Sequence, residues 1–139
     1  MTSSLKTLVR IQKFNIDEQR KLLNEQLDAE DKLLQALAAL EDELVREKKF
    51  AEENPRIGDF GSYYKRYQAK RERLEDALAK VRQKIEQIRD VISDMFKEQK
   101  TFEIVDKNRA AAQEKDEEQK MQKTLDEIGT NAYIKNHKH

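Results

Sequence analysis

From Tyr64 to Phe102 apolar and aromatic side chains recur at alternating steps of three and four residues. The row runs Tyr64, Tyr67, Arg71, Leu74, Leu78, Val81, Ile85, Ile88, Ile92, Met95, Gln99 and Phe102, with Arg71 and Gln99 its only polar members. A stripe repeating every 3.5 residues is narrower than the face of a globular helix and is buried against another helix in a coiled coil. At the rise of an α-helix this segment is a rod on the order of 55 Å long. Such an element has almost no interior. Function is therefore expected in reach and surface contacts, with no catalytic pocket.

Composition points the same way. Charged residues make up 40% of the 139-residue chain, 28 basic against 28 acidic, with only 3 Gly, 1 Pro and no Trp. Compact domains carry roughly 25% charged residues, and this excess with a heptad signals long helices. Net neutrality removes the simplest argument for nucleic-acid binding, which needs a basic excess. No uncharged stretch approaches the roughly 20 residues of a membrane span. Near the N-terminus Lys6, Arg10 and Lys13 break any continuous apolar core of the kind a secretory signal requires. The absence of Cys leaves no disulfide, thiolate metal site or thiol nucleophile, which fits a reducing cytoplasm.

Helix-breaking residues are concentrated in one place. Pro55, Gly58 and Gly61 lie within Glu53–Gly61, so the chain reads as two long helices joined by one reversal. Asp59 or Ser62 is placed to cap the second helix. The expected layout is a first helix over about 4–53, a turn over about 54–61, a second helix over about 62–128 and a flexible tail over 129–139. Leu5, Leu8, Ile11, Phe14, Leu23, Leu27, Leu34, Leu37, Leu40 and Leu44 are the candidate apolar residues of the first helix. The pattern blurs at Asn15-Ile16-Asp17-Glu18, where an Asn-x-x-Glu motif resembles a capping box and allows a kink.

Folding the second helix back about residue 57 pairs positions whose numbers add to about 115 in an antiparallel hairpin. Leu40 is then expected opposite Leu74, Leu37 opposite Leu78, Leu34 opposite Val81 and Phe14 opposite Phe102. The expected fold is all-α, an antiparallel coiled-coil hairpin. The first helix is exhausted before the second, so residues beyond about 112 form an overhang. That overhang is charged throughout until Met121, Leu125 and Ile128 reappear at stripe spacing.

Chemistry-bearing groupings are sparse. His137 and His139 sit in the polar tail without supporting carboxylates, and Gly58-Asp-Phe-Gly61 lacks the strand and lysine of a phosphate loop. Carboxylates spaced helically from lysines, such as Glu72 and Asp76 with Lys80 and Lys84, are a solvated face. Neither catalytic residues, a metal site nor a cofactor is expected. By contrast, Phe60, Tyr63, Tyr64 and Tyr67 gather beside Lys65, Arg66, Lys70, Arg71 and Arg73, the composition of a protein-binding hot spot. Of these aromatics Tyr64 and Tyr67 continue the stripe and Tyr63 lies off it. At the other end residues 1–14 carry Lys6, Arg10 and Lys13 and no acid. Two ends of different chemistry suggest a rod that bridges two partners.

The order of several motifs resembles the flagellar export protein FliJ family, in particular its shorter-looped alphaproteobacterial members. The likeness is carried by Ser4-Leu-Lys-Thr-Leu-Val-Arg-Ile-Gln-Lys-Phe14, Asp17-Glu-Gln-Arg20 with Leu22, Tyr64-x-x-Tyr67, Arg71-x-Arg73-Leu74-Glu75-x-Ala77-Leu78 and Leu125-Asp-Glu-Ile-Gly129. The resemblance implies an antiparallel coiled coil similar to the central stalk of rotary ATP synthases. It implies a non-enzymatic protein that enters a hexameric export ATPase and connects it to the cytoplasmic domain of an export-gate membrane protein. Handling of export chaperones is implied as well. The ATPase would meet Arg10, Phe14, Lys107 and Arg109. The gate would meet Tyr64, Tyr67, Leu74 and Ala77, next to Phe60 and Tyr63. The implied location is cytoplasmic, peripheral to the inner-membrane export apparatus. A generic coiled-coil scaffold or chaperone that homodimerises through the same stripe is the alternative.

Overall fold

The computed structural model describes residues 3–136, so His137 and His139 lie outside the described residues. Two helices account for nearly all of it: α1, Ser3–Glu53, and α2, Phe60–Asn136. Among the described residues there is no strand. Helical geometry continues through Asn15–Glu18, so the capping-box motif starts no second helix. Glu18 instead accepts an ion pair from Lys21 at 2.9 Å, an ordinary exposed pair one turn on.

The connection follows from local chemistry. Asn54 ends α1 by donating both its backbone N–H and its side-chain amide to the Phe50 carbonyl, at 2.9 and 3.1 Å. Pro55 then blocks continuation. Gly58 turns the chain with φ of 83°, a left-handed conformation that an L side chain resists. Asp59, and not Ser62, caps α2. Its Oδ1 accepts from the Ser62 N–H at 3.2 Å and its Oδ2 from the Ser62 hydroxyl at 2.6 Å. These two bonds hold the Asp59 carboxyl below its ordinary pKa, the side-chain bond contributing most. With Asp59 as the cap, α2 starts at Phe60, two residues before the expected start. Helix α2 also runs through Gly129 to Asn136, past the expected end near 128. One glycine inside a helix costs only about 1 kcal/mol and its neighbours keep helical geometry.

Residues cluster into two compact units, Asn15–Asp94 and Met1–Phe14 with Met95–His139. Within the Asn15–Asp94 unit the two helices meet in reverse order. Glu30 pairs with Arg82 at 3.2 Å, and Glu41 accepts the Tyr67 hydroxyl and lies 3.8 Å from Arg71. Within the other unit the Gln12 amide donates to the Met95 carbonyl at 2.9 Å and to Glu98 at 3.1 Å. Residue numbers in these pairs add to between 107 and 112, three to eight below the expected 115. Leu40 and Tyr67 line one groove. The connection itself is centred near residue 57 as expected, since α1 ends at Glu53 and α2 begins at Phe60.

From Leu74 to Phe102 the α2 stripe is covered where the repeat places it. Leu78 and Ile85 are buried, and Leu74, Val81, Ile88, Ile92, Met95, Gln99 and Phe102 are half-buried. Full burial of a Leu or Ile side chain contributes about 1.5–3 kcal/mol. On α1 the covered row is Leu5, Val9, Gln12, Ile16, Gln19, Leu23, Gln26, Glu30, Leu33, Leu37, Leu40, Leu44, Glu47 and Ala51, again alternating by four and three. Leu8, Ile11, Phe14 and Leu34, expected in the stripe, are exposed instead, Phe14 to 63% and Leu34 to 41%. The reason is that α1 carries two partly apolar rows one residue apart. The row with glutamines is covered instead: their methylene stems can pack, and the Gln12 amide bonds the Met95 carbonyl.

Candidate functional site

The aromatic cluster lies in the Asn15–Asp94 unit and is built by helical spacing. Phe60 stacks on Tyr64 with centroids 6.0 Å apart, Tyr64 on Tyr67 at 5.6 Å, and Phe60 tilts onto Tyr63 at 5.9 Å. Offset pairs at these separations contribute about 0.5–1.5 kcal/mol each. Tyr67 is buried, 4% exposed, whereas Tyr64 is 38% exposed and leans on rings of its own helix. Tyr63, expected off the stripe, is half-buried in Tyr64's place, and Arg71 is exposed. The burial row therefore shifts by one residue at this end of α2.

Polar groups tie the cluster to α1. Tyr67 donates to Glu41, and Arg71 bridges Glu41, Glu75 at 2.9 Å and the Tyr67 hydroxyl at 3.4 Å. The Glu41 hydrogen bond raises the Tyr67 pKa, and the Glu75 bond raises that of Arg71. The Tyr63 hydroxyl is shielded from solvent and lies beside Glu43. Burial, and next the nearby Glu43 charge, push its pKa up.

A groove of about 580 Å³ opens beside these rings. Its floor is Leu40, Tyr67 and Ala69; Arg66, Lys70 and Arg73 line the α2 side, and Glu43 and Glu47 the α1 side. Nearer the connection a smaller recess of about 240 Å³ lies between Phe50, Ile57, Phe60 and Tyr63. Leu74 and Ala77 are half-buried. A contact with either would use only the exposed flank of its side chain.

No protein-family model, curated protein or solved structure matches the chain. Its surfaces are therefore read from geometry and from the motif order alone. Arg10, Phe14, Lys107 and Arg109 belong to the Met1–Phe14 and Met95–His139 unit, and all four are exposed. From Lys107 to Lys135 every residue of α2 is exposed, including Met121, Leu125 and Ile128. The two sets of candidate contact residues thus fall in different units.

Among the described residues no group of three His, Cys, Asp or Glu could hold a metal ion. No described helix is long and apolar enough to cross a membrane. Sequence reading found the rings and the basic residues but missed Glu41, Glu43, Glu47 and Leu40 as their neighbours. Their role depends on how α1 is set against α2, for which the sequence carries no local signal.

Proposed function

We propose that this chain is a non-enzymatic stalk of the FliJ type, an antiparallel coiled-coil hairpin in the flagellar type III export apparatus. The observation that carries the reading is the pair of buried rows. Both helices bury residues at alternating steps of three and four, and residues in reverse order meet inside each unit. The resemblance in motif order, from Ser4–Phe14 through Tyr64-x-x-Tyr67 to Leu125–Gly129, supports the family reading.

In this reading Arg10, Phe14, Lys107, Arg109 and the exposed end of α2 enter the export ATPase hexamer. Phe60, Tyr63, Tyr64, Tyr67, Leu74 and Ala77 face the export gate, and export chaperones share these surfaces. A coil stiffened along its length holds a ring in register, while exposed charges let it turn, since surface ion pairs are individually weak. Coupling to hydrolysis then comes from contacts that differ between ring subunits in different nucleotide states. The protein works in the cytoplasm at the inner-membrane apparatus and needs no cofactor.

The test is to add the chain to purified export ATPase and follow hexamer formation and hydrolysis. Stimulation that is lost on deleting residues 113–139 supports the pore assignment. An ATPase indifferent to the full chain removes it.

A further inference from the structure

Two surfaces remain without a partner in the chain, and their chemistries are opposite. The first is the groove over Leu40 and Tyr67. Its α2 wall presents Arg66, Lys70 and Arg73 at i, i+4 and i+7, and none of the three is in an ion pair. The second is the exposed stretch of α2 that ends in Met121, Leu125 and Ile128, 68%, 55% and 59% exposed, also at i, i+4 and i+7. Residues 114–128 carry six carboxylates against three lysines.

We infer that the 114–128 segment of one copy docks into the Arg66–Lys70–Arg73 groove of a second copy. Three arguments select this occupant. Both features repeat over the same seven residues, about 10 Å of helix, so one apolar row can lie along one cationic row. The segment carries net negative charge and is repelled by its own counterpart, whereas the cationic wall of the groove attracts it. Finally, the groove is not uniformly basic. Glu43 and Glu47 oppose the three cations, a pattern that disfavours a phosphate backbone and suits a helix whose acids are interleaved with Lys123. Met121, Leu125 and Ile128 would cover Leu40, Tyr67 and Ala69. The cationic wall of the groove and the segment belong to one continuous helix, α2, so the contact is between copies.

The contact is heterologous, so it closes by reciprocal exchange between two copies or as a ring, or else grows into higher species with concentration. It also hides the end of α2, so association and any other binding by residues 114–128 exclude each other.

Sedimentation of the full chain at concentrations up to about 0.2 mM tests this, at low and at high salt, since exposed charge pairs are screened within roughly 10 Å at 0.1 M. The expected result is concentration-dependent association that weakens in salt. Two triple variants follow: Arg66→Glu with Lys70→Glu and Arg73→Glu, and Glu114→Lys with Glu118→Lys and Glu127→Lys. Each alone should associate at least about tenfold more weakly. Mixed together they should associate again, because each then meets a surface of opposite charge. Monomers throughout, association unchanged by either set of reversals, or no recovery on mixing would each overturn the inference. Recovery on mixing also shows that both variants are folded.

Discussion

Leu40 and Leu34 are the same residue type on the same helix, and both read as stripe residues in the sequence, yet they differ sharply in burial. Leu40 is 5% exposed and Leu34 is 41% exposed. Truncation to Ala removes the equivalent of roughly three methylene groups, near 0.8 kcal/mol each when fully buried. For Leu40 nearly all of that is lost, about 2–3 kcal/mol, with little added for a cavity because water can fill the adjoining groove. For Leu34 the loss is less than about 1 kcal/mol, since the site is half in water and Ala favours the helix. Urea denaturation followed by far-ultraviolet circular dichroism measures both. Equal losses, or a larger loss at Leu34, would refute the phase assigned to α1.

Four more outcomes follow from the same geometry. With cysteines at Leu37 and Leu74 the chain should crosslink faster than with cysteines at Leu40 and Leu74, because Glu41 with Arg71 and Glu30 with Arg82 set the register on either side; the reverse order of rates would restore the expected pairing. Gly58→Ala should cost about 1–2 kcal/mol from backbone strain alone, as a methyl group there meets nothing within 4 Å; an unchanged melting temperature would contradict it. The cap at Asp59 binds its proton less readily folded than unfolded, so its stabilisation is complete above its ordinary pKa of 3.8 and fades as pH falls through the lowered value. Asp59→Asn should flatten that part of the acid-denaturation curve, and an identical curve would remove the cap from the account. Gln12→Ala should cost about 1–2 kcal/mol while Gln12→Leu is close to neutral, because the buried stem does the packing and an apolar isostere replaces it; equal losses in thermal melts would show that the amide bonds dominate.

Much of the layout was legible without coordinates. Pro55 and Gly58 announced the reversal, since one cannot continue a helix and the other accepts a φ of 83°. From Leu74 to Phe102 every position the repeat marked is covered, because there a single apolar row stands among charges and nothing competes with it. The aromatic hot spot was legible in composition, although Tyr63 and Tyr64 exchange the expected roles. The groove was not, for it combines α2 cations with α1 carboxylates brought together only by packing.

The sequence alone determined that the chain is helical, where it reverses, and which face of α2 is buried, because these depend on local propensity and on a row with no rival. Tertiary structure decided which of two neighbouring rows α1 buries, and which α1 residues, Leu40, Glu43 and Glu47, join Tyr67 around the groove. Those choices are made by contact. A helix with two partly apolar rows can bury either, and only the opposing stripe, fixed by the length of the connection, selects between them.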